Sequence, residues 1–310
     1  MTRAGFPSSF FMRTLLITGS YDVASDLLIS KLGSEKFIRL NFDRPRDWAI
    51  TLTESELTIA SERDSFSSKE IAKCIWRKPF TSEPIDSPFN EDFSREEWKY
   101  TLYEIASLMR SLGKLRMNFP MPDYMMGKLM QQRAAKEFFR VAPIALTVNQ
   151  EPNTDGEKIA KSLSSTPLSD GKVLYTVDVS NKPLSPDIWY VQDKVGANLD
   201  VTVVYLYGKT FAFSLDRSSL KTLDWRKEQF TNATSWTPYS LNTRDSEAID
   251  IYMKKLGLVY GRLDFLEDKQ TNELVFLEVN KNGQWAWLDP TFENGLFRAM
   301  SAVHDPLSIE

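Results

Sequence analysis

The 310-residue chain has one cysteine, Cys74, and one histidine, His304. A single thiol excludes an intrachain disulfide and any zinc site built from several cysteines. A single imidazole close to the C-terminus all but removes the histidine-dependent triads, dyads and zinc centres. No apolar run approaches the roughly 18 residues of a membrane span. Charge of one sign is not in excess either: 38 Lys and Arg against 42 Asp and Glu leave a net charge of -4, and nothing in that balance points to nucleic acid. Internal repeats and low-complexity tracts are missing. The chemistry left open uses lysine, arginine, carboxylates or a bound ion. The chain reads as cytoplasmic, with residues 1–12 as a tail.

What is present is ordinary globular material, 42% hydrophobic and 26% charged, enough for two or three compact units. From Thr14 to about Lys114 strands and helices alternate. "TLLITG" reads as a buried strand, "YDVASDLLISKLG" as a helix ending at Gly33, "KFIRLNFD" as a second strand, "AITLTESELTIAS" as a hairpin and "CIWRKPF" as a short strand before an acidic loop with Pro84 and Pro88. Ser94 and Glu97 have capping-box spacing at the front of a helix whose Trp98, Leu102, Ile105, Met109 and Leu112 recur at helical intervals until Gly113. A further helix is expected from about Tyr124 to Arg140, then strand-rich text. "LDVTVVYLYGKTFAFSLD" reads as two antiparallel strands turning at Gly208, and a helix from about Ser246 to Leu256 closes at Gly257.

The informative stretch is "FLEVNKNGQWAWLD", residues 276–289. Side chains alternate faces along a strand, so Glu278 and Asn280 share one, and Asp264 in the preceding "GRLDFLED" can be brought opposite them across a hairpin. Two carboxylates and a carboxamide oxygen are hard ligands of the kind Mg²⁺ accepts, with phosphate oxygens completing the octahedron. An Asp and a Glu on an exposed hairpin would be merely solvated, but Phe265, Phe276, Leu277 and Val279 flank these two.

"GRLDFLED…ELVFLEVNKNGQW" resembles the C-terminal signature of the ATP-grasp ligases, and among them the microviridin-type peptide maturases, the graspetide synthetases. The resemblance extends over most of the chain. "IWRKP" (Trp76 to Pro79) resembles the strand of their pre-grasp domain, "NFPMPDYMMGKLMQQRAAKEFF" their linker and lysine-bearing helix, "KSLS" their second lysine strand, "YVQDKV" their adenine hinge and "LDWRKE" a motif they also carry. The implied fold is α/β: an N-terminal pre-ATP-grasp α/β domain over 1–115, a central α+β subdomain over 116–195 and a C-terminal antiparallel-sheet grasp subdomain over 196–310.

Carried over by position, the resemblance implies that Lys128 and Lys161 contact ATP phosphates, where compact ammonium groups suit phosphate oxygens. Gln192, Asp193, Lys194 and Val195 would hold adenine, and "SSTPLSDG" (Ser164 to Gly171) would be a flap. Asp264, Glu278 and Asn280 would hold Mg²⁺. Arg226, Arg262 and, more weakly, Arg217 would stabilise charge on the transferring phosphate or the substrate carboxylate. The chain departs from the family after the hinge, where "LDVT" puts Asp200 in place of the usual arginine. The implied reaction is phosphorylation of a substrate carboxylate by ATP, followed by capture of the acyl phosphate by a hydroxyl or amine. The substrate implied by the resemblance is a precursor peptide with leader and core, and the assembly it implies is a homodimer, which family members often form. A RimK-type ligase adding an amino acid or small amine, or a non-catalytic nucleotide-binding protein, are the competing readings.

Overall fold

The computed structural model describes residues 12–62, 64–77, 91–120, 126–163, 175–228 and 235–308. The flap expected over residues 164–171, the acidic loop with Pro84 and Pro88, the end of "IWRKP" and the expected helix start at Tyr124 lie outside them.

The chain begins with a buried strand, β1 (Arg13–Thr18), and the helix α1 (Val23–Leu32), which stops where Gly33 turns to φ 102°. β2 (Phe37–Asn41) follows, then β3 (Ala49–Leu52), β4 (Leu57–Ala60) and β5 (Ser65–Ser67), β6 (Ile71–Trp76), the long helix α2 (Glu91–Ser111) and β7 (Leu115–Arg116). β2, β1, β6 and β7 form a parallel four-stranded sheet in that order. β3, β4 and β5 form an antiparallel meander. Their apolar faces close one core, with Leu15, Ile17, Leu57, Ile59, Trp76, Leu102, Ile105 and Met109 buried together. The helical spacing of Leu102, Ile105 and Met109 places that stripe inward, as their sequence period requires.

The second run starts with α3 (Lys128–Ala135) and β8 (Arg140–Val141). It continues through β9 (Ile144–Gln150), β10 (Lys158–Lys161), β11 (Val177–Asp178), β12 (Asp187–Asp193), β13 (Ala197–Leu206), β14 (Lys209–Asp216), β15 (Thr237–Pro238), α4 (Thr243–Lys255), β16 (Tyr260–Asp268) and β17 (Leu274–Asn280). β11-β10-β12-β9 is one sheet, and β15-β14-β13-β16-β17-β8 is another. The hairpin between β13 and β14 turns on Tyr207 and Gly208, both with positive φ (48° and 83°), the backbone of a two-residue turn that matches strand twist. On one face of the six-stranded sheet Phe265 and Phe276 pack against Phe139 and against Tyr252 of α4, with ring centroids 5.3–5.9 Å apart.

The last helix is α5 (Leu296–His304). By contacts the chain divides into two compact units, Met1–Met121 with Gln284–Glu310, and Pro122–Gly283. Residues 284–310 therefore group with the N-terminal unit, where the sequence expectation had placed them with the C-terminal subdomain. The reason is a set of long-range ties: Thr14 Oγ1 donates to the His304 carbonyl at 2.7 Å, Lys73 Nζ to the Ala302 carbonyl at 3.1 Å, and Lys36 pairs with Asp305 at 3.1 Å.

Two helix boundaries differ from expectation. α2 already runs from Glu91, so Ser94 sits inside the helix and not at its front; a capping box does occur, at Ser67 and Glu70. The helix expected to reach Arg140 ends at Ala135, and Arg140 and Val141 pair as a strand with Val275 and Phe276, respectively. No helix among the described residues is long and apolar enough to cross a membrane.

Candidate active site

The expected ligand hairpin forms, and its register is the decisive detail. Asp264 of β16 is paired with Glu278 of β17, and Arg262 with Asn280. On the other side of β16, Thr202 of β13 is paired with Asp264. Thr202, Asp264 and Glu278 thus stand in one row across three strands. A bulge follows at once: Phe265 is opposite Phe276, which leaves Leu277 as the extra residue. The bulge lets Phe276 and Val279 both face the aromatic core while Glu278, between them, stays on the polar face.

A bulge frees backbone groups that need partners. Here α3 supplies them. Gln132 Nε2 donates to the Leu277 carbonyl at 2.5 Å, and the Val279 N–H donates to Gln131 Oε1 at 2.9 Å. Both glutamines are buried. One helical turn earlier on the same helix, Lys128 is held over Glu278, with Nζ 3.3 Å from Oε2 and donating to the Ser162 carbonyl at 3.0 Å. Sequence reading found Lys128 but not the two glutamines that aim it, since neither has a local signature.

Asp264 is densely engaged. Its Oδ1 accepts from Thr202 Oγ1 at 2.8 Å and Arg262 Nε at 3.2 Å, and its Oδ2 accepts from Arg262 Nη2 at 3.0 Å and Asn280 Nδ2 at 3.1 Å. Burial pushes the Glu278 carboxyl up, but the positive charges of Lys128, Lys161 and Arg262 outweigh it and hold the group below its ordinary value. Lys161, the last residue of β10, is lowered to about 8 by burial, with Lys128 and Arg226 adding to the effect and Glu278 and Asp224 opposing it. Lys128, Lys161, Arg262, Asp264, Glu278 and Asn280 are brought together.

The three arginines are each committed to a carboxylate. Arg262 is on Asp264, Arg226 is on the buried Asp224 through two bonds of 2.8 and 2.5 Å, and Arg217 is on Asp200 at 2.5 Å. Arg226 nonetheless senses Glu278 and Asp264 electrostatically. Arg217 is tied to β13 two residues before Thr202.

The expected adenine segment divides. The Asp193 N–H donates to the Pro143 carbonyl and the Lys194 N–H to the Glu157 carbonyl, both at 2.9 Å, while their side chains pair with Lys158 and Asp178. The Val195 N–H makes no hydrogen bond to the described residues. Asp193, Lys194 and Val195 also line a cavity of about 320 Å³ with Arg140, Asp268 and Lys269. Gln192 is different: it is 1% exposed, and both atoms of its carboxamide lack a partner among the described residues. Lys161 is paired with Tyr190, and Ile159 with Gln192, so these four share a face. Burial, with a smaller contribution from the charge of Glu278, pushes the Tyr190 hydroxyl up to about 12.

Among the described residues no group of three or more His, Cys, Asp or Glu is placed to hold a metal unaided. Two carboxylates with one carboxamide oxygen form an incomplete octahedral set, which suits an ion that brings phosphate oxygens with it. Asn280 uses its Nδ2 on Asp264 and leaves its oxygen for such an ion. Two lysines beside the carboxylates and an unsatisfied buried carboxamide on the lysine face fit a magnesium-bound nucleotide triphosphate.

No family model and no curated protein matches the sequence. Solved structures do. The chain is 19% identical to the macrocyclase MdnC of Microcystis aeruginosa, solved bound with precursor peptide MdnA, over 94% of this chain and 99% of that one, with a TM-score of 0.74. It is 18% identical to a Chryseobacterium gregarium RiPP-associated ATP-grasp ligase, solved with ADP and a leader and core peptide, over 94% and 96% of the two chains, with a TM-score of 0.75. D-alanine–D-alanine ligase of Bacillus anthracis, complexed with ATP, is 13% identical over 96% and 97%, with a TM-score of 0.53. The chain has the ATP-grasp fold.

Proposed function

We propose that the protein is an ATP-dependent, ADP-forming ligase that activates a carboxylate as an acyl phosphate and passes it to a hydroxyl or amine. Its substrate is a ribosomally made precursor peptide, in which it closes side-chain ester or amide rings. The observation that carries the reading is the register of Asp264 against Glu278 with Lys128 held on Glu278. The full-length likeness to structures described as a macrocyclase and a RiPP-associated ligase, each solved with peptide, supports the substrate class.

In this reading Asp264, Glu278 and Asn280 hold Mg²⁺, and Lys128 and Lys161 hold the phosphates. Magnesium would neutralise phosphate charge and draw electrons from the bond that breaks. Lys128 would exchange Glu278 for phosphate oxygens when the nucleotide enters. Arg262 and Arg226, each prepositioned by an aspartate, are directed at the charge that grows as the phosphoryl group transfers. A carboxylate oxygen attacks the γ-phosphorus and ADP leaves; a hydroxyl or amine then attacks the acyl carbon and phosphate leaves. Neither step requires an imidazole, in keeping with a chain whose single histidine is buried elsewhere. The Gln192 carboxamide and the Val195 N–H are the groups we assign to the base. Apart from β8, which joins the later sheet, the strands before and after residue 196 fall in separate sheets, which supports a central and a C-terminal subdomain within the second unit. We place the protein in the cytoplasm and allow for a homodimer.

The test is ADP release by the purified protein with Mg²⁺ and ATP, with and without a precursor peptide encoded beside its gene, and with Glu278→Gln in parallel. Peptide-dependent ADP release with loss of one water per ring is the expected result. A gain in peptide mass would favour intermolecular ligation, and failure to bind ATP would sink the proposal.

A further inference from the structure

Asp200 lies on β13 two residues before Thr202 and therefore on the same face as Thr202 and Asp264. It is buried, 8% exposed, and its partner is Arg217, the first residue after β14. Arg217 uses both ends of its fork. Nη1 donates to Asp200 Oδ2 at 2.5 Å, and Nη2 donates to the Leu223 carbonyl at 2.8 Å. A planar guanidinium spans a strand and a loop from two separate nitrogens in a fixed geometry, which an ammonium's single nitrogen does not reproduce.

The residue after Leu223 is Asp224, whose carboxylate takes Arg226 by two bonds and the Thr176 N–H at 3.0 Å. Glu228 closes the loop from its other end, accepting from the Lys221 N–H at 2.9 Å and from the Thr222 N–H and hydroxyl, both at 2.7 Å. Residues 221–228 thus form a self-bonded piece that Arg217 ties to β13, and Arg226 projects from it. Its side chain is 46% exposed, yet its charge reaches Glu278, Asp264 and Lys161.

We propose that Asp200 and Arg217 are positioning residues for Arg226: their ion pair fixes the Leu223 carbonyl, and with it the place from which Asp224 presents Arg226 to the phosphate-binding cluster. The inference rests on the proposed function for its catalytic consequence, though not for its structural one. A buried carboxylate with one cationic partner has few alternative positions, because losing that partner strands a desolvated charge. The groups facing Asp200 are Arg217, Asp264 and Asp224; burial with the two aspartates outweighs Arg217 and raises its carboxyl to about 6. Acidification through that value removes the charge that holds Arg217.

The experiment is a double-mutant cycle of Asp200→Asn and Arg226→Gln in the full chain. It is read by kcat and KM for ATP, equilibrium ATP binding, and hydrogen exchange of the Lys221 and Thr222 amides. Asp200→Asn should lower kcat about tenfold with little change in ATP affinity, and should speed exchange of those amides. In the Arg226→Gln background it should cost nothing further, since coupled residues are not additive. Additive losses, or unchanged exchange, would overturn the proposal. Should Asp200→Asn fail to fold, Arg217→Lys keeps the charge without the fork, and is expected to lower kcat and speed exchange; unchanged values would again overturn it. A wild-type protein that does not bind ATP would defeat the proposed function, while the exchange measurement would still decide the positioning role.

Discussion

Asp264 and Glu278 face each other across the β16/β17 ladder, and the extra residue of the bulge, Leu277, comes immediately before Glu278. The pair is asymmetric. Asp264 is fully bonded by Thr202, Arg262 and Asn280, whereas Glu278 is balanced mainly by lysines. Asp264→Asn should therefore cost fold stability as well as turnover, because Arg262 loses its counter-charge. Glu278→Gln should leave melting temperature nearly intact and lower ADP release by roughly 10²- to 10³-fold, the usual cost of removing one preorganised charge at such a site. Paired thermal melts and ADP assays check both.

Lys161, lowered to about 8, should lose its proton as pH rises through that value. Under the proposed function this removes a positive charge from the site assigned to phosphate, so kcat/KM for ATP should fall on the alkaline side with a midpoint near 8. Lys161→Arg should push the fall to higher pH. A pH profile of kcat/KM, which reports the free enzyme, is the measurement.

Gln131 and Gln132, both buried, should behave as positioning residues. Gln131→Ala leaves the Val279 N–H buried without a partner, at a cost of about 1–3 kcal/mol. It should also loosen Lys128 from Glu278, so KM for ATP should rise together with the loss in urea midpoint. Unchanged KM at reduced stability would confine Gln131 to a packing role.

Gly283 lies behind Arg262. A Cβ added there would sit 2.5 Å from the Arg262 Cβ and 3.3 Å from the Asn280 carbonyl oxygen. Since the arginine stem cannot swing away as a flexible tip would, Gly283→Ala should destabilise by about 1–3 kcal/mol and displace Arg262 from Asp264. Denaturant melts and ADP release should fall together.

His304 is fully buried and its pKa is lowered to about 3, chiefly by burial, with Arg77 and Lys73 contributing. Its folded value lies below the unfolded value of about 6.5, so the unfolded chain takes up the proton first. Stability is then lost as pH falls below about 6.5, by up to about 1.4 kcal/mol per pH unit, until the folded value is reached. His304→Gln should flatten that slope in urea melts collected between those two values.

Much of this site was legible in one dimension because strand periodicity is local. "LEVN" puts a carboxylate and a carboxamide on one face whatever surrounds them, and "GRLD" sits at the right distance upstream for a hairpin. Helix ends were less legible. Ser94 and Glu97 have the spacing of a cap, yet α2 begins before them, and Arg140 has the pattern of a helix but pairs as a strand. At Arg140 the pairing with Val275 outweighs a local helical preference of under a kilocalorie per mole.

By itself the sequence determined which side chains are available: almost no imidazole or thiol, an acidic and carboxamide pair on one strand face, and two lysine segments that resemble those of ATP-grasp ligases. Only the tertiary structure decided the Asp264–Glu278 register, the glutamines that aim Lys128, the pairing of Asp200 with Arg217, and the grouping of residues 284–310 with the N-terminal unit. The first set follows from side-chain type and a two-residue period, which any window of the chain displays. The second depends on which buried polar groups meet across tens to hundreds of residues, and a linear pattern does not encode those meetings.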